Sequence, residues 1–255
     1  MPRKIELLAG YWTIAGDCYA TGPSEVSPFP LRERVEAASA AGYTGLGLVH
    51  QDLVFNAKAM GYPAMKRLFD DHGIAHIEVE FLGDWFESGA KRKASDHIRK
   101  DLLEAAHALG ARDIKCAGEM WTEHCDISKM GDAFASVCED ARHVGAMIAM
   151  EILPMSNVST LETAKAIVER AAQPNGGLCL DIWHFIRGGI DFAKIRSLPT
   201  SMIQFSGVGR RRRRARGLAV GGYFVPSSLS RRGKLRLPGF HQGRRASGIP
   251  QRLWR

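Results

Sequence analysis

Three side chains, Glu151, Asp181 and His184, have the types and spacing of one half of a divalent-metal site. Glu151 lies in the apolar run Ile148–Pro154 (IAMEILP), and Asp181 in its echo further on, Leu178–His184 (LCLDIWH). Apolar runs this short between helical segments read as buried strands of a parallel sheet, both faces covered. A carboxylate at the end of such a strand is costly to bury unless a cation or hydrogen-bond donors meet it. In barrels of alternating strands and helices, active sites lie at the carboxyl ends of the strands. Mixed oxygen and imidazole donors suit a hard or borderline ion rather than one that prefers thiolates.

The elements that must carry these residues alternate along the chain. Ile5–Ala9 reads as a strand, Tyr11–Pro30 as a loop and Leu31–Ala41 as a helix stopped by Gly42. Thr44–Val49 is a strand ending at His50, and Tyr62–His72 a helix. Ile74–Leu82 is a strand bearing Glu78 and Glu80, and Ser95–Leu109 a strongly periodic helix closed by Gly110. Asp113–Ala117 is a strand containing Lys115, and Met130, Phe134, Val137, Cys138 and Ala141 mark the next helix. After the Glu151 strand come a helix over Thr160–Ala172, the Asp181 strand running on through Trp183, a short helix Phe192–Arg196, and a strand Ser201–Phe205 with Gln204. This order implies an α/β fold with right-handed crossovers and a parallel sheet. A doubly wound sheet would satisfy the same order. A (β/α)₈ TIM barrel is preferred, because no GxGxxG turn follows the first strand and because His50, Glu80, Glu151, Asp181 and Gln204 crowd the strand ends.

The 255 residues suit one such barrel, which needs about 250. Five scattered cysteines without a CxxC pair point to reduced thiols. The basic start lacks an apolar core for a signal peptide, and no long apolar run occurs, so a soluble cytoplasmic protein without membrane contact is expected. The net charge of +8 is unevenly spread: all 27 acidic residues fall at or before Asp191, whereas 16 of the 35 Lys and Arg follow it. The sequence thus divides into a body, residues 1–205, and an Arg-rich tail, residues 206–255.

Gly42–Leu46, Glu78–Phe86 (EVEFLGDWF), ALGARDIK, MEILP and CLDIWHFIRGG together resemble the sugar phosphate isomerase/epimerase family of the xylose-isomerase-like TIM barrels, over roughly residues 1–205. The resemblance implies one divalent ion (Mn, Mg, Co or Zn) and proton transfer next to a carbonyl of a sugar or sugar phosphate. It assigns Glu151 as ligand and general base, Asp181 as second ligand, His184 as a catalytic or substrate-contacting imidazole, and Gln204 as a ligand on the seventh strand. The family's final glutamate has no counterpart, since no Asp or Glu follows Asp191. An alternative within enzymes is a metal-dependent dehydratase of a keto-sugar or cyclitol, which begins with the same proton abstraction.

Further pocket residues expected at strand ends are His50, Glu80 and Lys115, binding hydroxyls or a phosphate. Glu119, Trp121, Glu123 and His124 follow the fourth strand, and Asp84–Phe86 offers either an aromatic wall or core packing. The run Arg210–Arg214 suggests a nucleic-acid arm, a reading from another class. The tail's composition instead matches GC-rich coding sequence read out of frame, which makes nucleic acid the lesser expectation. Leu218–Val225 is apolar enough for an eighth strand but brings no carboxylate. An unclosed barrel leaves strand edges unpaired, favouring weak activity and self-association into homo-oligomers or aggregates.

Overall fold

The structure, a computed structural model, describes residues 6–207, the last four by backbone alone. Seven strands form one sheet: β1 (Leu8–Ala9), β2 (Gly45–Val49), β3 (His76–Leu82), β4 (Asp113–Ala117), β5 (Met147–Glu151), β6 (Gly176–Asp181) and β7 (Ile203–Gly207). Their order in space is their order in the chain, and every neighbouring pair is parallel. A doubly wound sheet reverses its strand order at a switch point; a sequential order winds one way and is that of a TIM barrel. Among the described residues β1 and β7 are the two ends of the sheet. The expected eighth strand, Arg210–Arg214 and the rest of the tail lie outside the described residues.

The helices are α1 (Tyr11–Ile14), α2 (Leu31–Ala40), α3 (His50–Met60), α4 (Tyr62–Asp71), α5 (Gly89–Leu109), α6 (Ile127–His143), α7 (Leu161–Ala171) and α8 (Ile182–Gly188), with 3-10 turns at Phe192–Ser197 and Thr200–Met202. Each covering helix buries one stripe, as its sequence period demands. Met65, Leu68 and Phe69 are buried on α4, Leu102, Ala106 and Leu109 on α5, and Met130, Phe134, Val137, Cys138 and Ala141 on α6. On α7 the buried set is Leu161, Ala164, Ile167, Val168 and Ala171. The Asp126 side chain caps α6 by accepting from Lys129 N, and Thr160 caps α7 by accepting from Thr163 N. Gly110 ends α5 at φ 66°, a conformation that costs glycine no Cβ clash.

Four elements depart from the sequence expectation. α1 lies within the expected loop. α3 was not anticipated, because its buried face holds Asp52 and Asn56 beside Leu53 while Val54, Phe55 and Met60 are exposed, so no apolar period appears. Burying Asp52 is tolerable because Arg34 of α2, itself fully buried, donates to both of its carboxylate oxygens at 3.0 and 2.8 Å. α5 starts six residues earlier than its apolar stripe, on the polar stretch from Gly89. Most consequentially for the site, β6 ends at Asp181 and the chain turns at once into α8. Asp181 Oδ1 accepts from Trp183 N at 2.6 Å and His184 N at 3.4 Å. His184 therefore stands in the first turn of a helix rather than on a strand. The apolar Ile182 and Trp183 hide this change of period in the sequence.

Candidate metal centre

All inter-element turns after the parallel strands gather at one end of the sheet, and the acidic strand ends converge there. Glu151 closes β5 and Asp181 closes β6; the two strands pair in register up to Glu151 opposite Cys179. One ligating atom each from Glu151, Asp181 and His184 lies within 4.8 Å of the others. His184 Nε2 is 3.6 Å from Glu151 Oε1. Glu151 Oε1 and His184 Nδ1 are buried without a hydrogen-bond partner. Buried polar atoms normally find partners, so the unsatisfied Glu151 Oε1, with His184 Nε2 3.6 Å away, could serve a cation.

Beneath this triad lies a second layer. Glu78 and Glu80 alternate in β3 and so share one face, where Lys115 of β4 meets them. Lys115 Nζ lies 3.0 Å from Glu78 Oε1 and donates to Glu80 Oε2 at 2.8 Å. All three are buried. Burial pushes the Glu78 carboxyl up to about 7 despite the nearby Lys115 ammonium, with Glu80 and Glu151 adding to the rise. The Glu151 carboxyl is likewise held at about 7, by burial first, opposed by Lys115 and reinforced by Asp181 and Glu80. Burial lowers the His184 imidazole, against the pull of Asp181, which favours the neutral ring that a metal needs. Four buried carboxylates thus face one ammonium among the described residues, a balance that favours a further cation.

The remaining expected residues are placed as follows. Gln204 falls where the β6–β7 register slips: Leu178 pairs with Ile203 and Cys179 with Phe205, leaving Gln204 as the extra residue of a bulge. Its side chain lies outside what is described. His50 does not join the cluster; it opens α3, and its Nε2 lies 2.8 Å from Asp101 Oδ2 on α5, in the helix layer. Glu119 pairs with Lys91. Trp85 and Phe86 are buried, Trp85 Nε1 donating to Ala117 O at 2.8 Å and its ring packing near Phe134, so this pair is core. Trp121 is exposed beside the strand ends, in a loop tied to the β5–α7 loop by the bridge between Met120 and Ser156 and by Asn157. The five cysteines are free, and burial pushes the Cys116 and Cys179 thiols well above their ordinary value, which leaves them inert. Sequence reasoning passed over Glu78 as a site residue, although its two-residue spacing from Glu80 was the available sign.

A parallel sheet wound in chain order, with carboxylate and imidazole donors converging at its strand ends, has the architecture of a TIM barrel. Residues 35–222 match the family described as "Xylose isomerase-like TIM barrel", and the chain belongs to that family. The match extends beyond residue 205, and β7 itself runs to Gly207. A search of curated proteins finds no match. Among solved structures, the chain is similar to the IOLI protein with a bound zinc atom, at 19% identity and TM-score 0.64, covering 79% of this chain and 72% of that one. It is also similar to a D-psicose 3-epimerase solved in the presence of D-fructose, at 16% identity and TM-score 0.57, covering 67% and 64%. A xylose isomerase-like TIM barrel/4-hydroxyphenylpyruvate dioxygenase fusion protein matches at 23% identity and TM-score 0.62; there 69% of this chain is covered but it spans only 28% of the fusion. No helix among the described residues is long and apolar enough to cross a membrane.

Proposed function

We propose that the chain is a divalent-metal-dependent isomerase or epimerase acting on a sugar or sugar phosphate by proton transfer next to a carbonyl. The observation that carries this reading is the convergence of Glu151, Asp181 and His184 with orphaned buried atoms on two of them. Glu151, Asp181 and the bulge residue Gln204 would hold the ion, with His184 beside them. Bound there, Mn, Mg, Co or Zn supplies Lewis-acid polarisation of a substrate oxygen.

The protein's own groups account for the rest. Burial raises the Glu151 carboxyl in the metal-free site, and a bound cation would draw it back down, leaving a carboxylate able to take a proton from carbon and return it. Lys115, fixed by Glu78 and Glu80, keeps one positive charge under the reacting atoms and tempers Glu151. The neutral His184 ring, packed edge-on against Trp183 at 5.0 Å between centroids, orients a substrate hydroxyl and narrows access of water. The Arg-rich tail, residues 206–255, stands apart from this chemistry in the proposal.

A second reading, the keto-sugar or cyclitol dehydratase, draws support from one fact of sequence. Epimerisation inverts a carbon and needs acid–base groups on both of its faces, yet no carboxylate follows Asp191 to stand opposite Glu151. A one-faced elimination needs only the one: Glu151 takes the proton from carbon and passes it to the departing hydroxyl, which leaves as water.

The test is metal content and calorimetric titration with Mn for wild type, Glu151→Ala and Asp181→Ala, together with NMR detection of deuterium entering sugars from heavy water. One equivalent of metal in wild type, lost in both variants, with exchange at the carbon beside the carbonyl, supports the reading. Undiminished metal binding by both variants sinks it. A product with a new double bond would favour the dehydratase.

A further inference from the structure

Arg187 of α8 is an exposed cation with no acidic partner among the described residues, linked to His184 through Trp183. It makes no ion pair among the described residues, and residues 1–5 and those after Asp191 contain no Asp or Glu that could supply one. Its guanidinium Cζ sits 5.3 Å from the centroid of the Trp183 ring. That ring in turn packs at 5.0 Å and 83° against His184. The three side chains touch in succession, His184 edge-on to Trp183 and the exposed Arg187 over the indole, on a helix whose start Asp181 caps. Stacking on an indole face orders an arginine while leaving its planar donors free.

The electrostatics of the cluster make this placement meaningful. Glu78, Glu80, Glu151 and Asp181 crowd the base of the site, and an anionic group brought among them would be repelled. An anion is tolerated only at some distance from them. Six residues of α8 separate Asp181 from Arg187, which at 1.5 Å per residue is roughly 9 Å along the helix axis. Over that distance the repulsion from the carboxylates weakens, although buried charges are screened by salt less than exposed ones. The distance is also comparable to the span of a hexose phosphate from its carbonyl end to its phosphate.

Resting on the metal-centre reading given above, we infer that Arg187, held on Trp183, is the recognition group for an oxyanion at the end of the substrate remote from the reacting carbonyl. The substrate is then an acidic sugar derivative, a phosphate monoester or a carboxylate, rather than a neutral sugar. A guanidinium binds either group through paired N–H donors.

The test is calorimetric binding to the full chain freed of metal by chelation, with fructose 6-phosphate, gluconate and fructose as probes. Wild type should bind one of the two acidic probes about tenfold more tightly than fructose, a difference of about 1.4 kcal/mol. Arg187→Gln should abolish that preference and Arg187→Lys should keep part of it, since the charge remains but the fork is lost. Preference for fructose 6-phosphate assigns a phosphate ester, and preference for gluconate a carboxylate. Equal binding of all three probes by wild type, or an unaltered preference in Arg187→Gln, overturns the inference. Mn titration of the same preparations separates the two ideas: failure of wild type to bind Mn removes the metal reading, whereas the anion result is read without metal.

Discussion

Replacing Lys115 by Met tests the charge balance under the site. Lys115 is buried between Glu78 at 3.0 Å and Glu80 at 2.8 Å. Met fills similar volume but leaves both carboxylates buried without their cation. Breaking a buried pair by removing one partner costs about 3–5 kcal/mol. The penalty must depend on pH. The Glu78 carboxyl is already raised from 4.5 to about 7, with Lys115 the largest influence holding it down. A carboxyl raised on folding contributes stability that is fully present below its unfolded value and is lost as pH rises through the folded value. Without Lys115 the folded value climbs further, so the variant's deficit should be largest near pH 8 and shrink toward about pH 5, as Glu78 takes up its proton. Urea unfolding of metal-free protein at both ends of that range measures it. A loss under about 1 kcal/mol near pH 8, or one of equal size at both pH values, would refute the reasoning, because a surface pair behaves so and a buried one does not. Adding Glu78→Gln to Lys115→Met should recover part of the loss.

Three further outcomes are expected. Glu151→Gln should leave the metal-free protein more stable near pH 8 by roughly 2–3 kcal/mol, since it removes a carboxylate whose ionisation burial opposes, while weakening Mn binding at least about tenfold; unfolding and titration of one preparation report both. Glu78→Gln should flatten the fall in melting temperature of metal-free protein between about pH 5 and pH 8, the window set by its rise from 4.5 to about 7, as followed by thermal circular dichroism. Asp52→Asn should destabilise the chain by about 3–5 kcal/mol, because Arg34 would stay charged and fully buried; its measure is denaturant unfolding, and a neutral effect would show that the pair is hydrated.

What could be read from the sequence followed how each element satisfies its backbone and its apolar face. α4, α6 and α7 bury one clean apolar stripe apiece, and their periods place them within a few residues. β4 and β5 stand out because a strand buried on both faces loses its alternation. α3 stayed hidden since its inward face is polar, made tolerable by Arg34 from a helix nearly twenty residues earlier. No local window contains that partner. The switch from β6 to α8 hides for a related reason: the capping atom is Asp181 Oδ1, a residue already spoken for as a strand-end ligand.

The site shows the same division between residue type and residue geometry. That Glu151 and Asp181 end neighbouring strands follows from two short apolar runs. The charge balance that would favour a cation is visible only once Glu78 and Glu80 are seen on the same face with a single ammonium between them. His50 has the right type and the right position at a strand end. The chain nevertheless turns helical at that residue, and Asp101 captures the ring 2.8 Å away. His184 also turns helical, after β6 and for a different reason. There the helix begins at the ligand itself, so its first turn holds the imidazole over Glu151 instead of carrying it away. Two histidines follow strands with similar apolar patterns, then, and what separates them is the residue before the turn: Val49 has no capping atom, whereas Asp181 is both cap and prospective ligand. A strand-end acid that caps the following helix couples the fold to the site, because the hydrogen bonds that end the strand are the same ones that aim the next side chain.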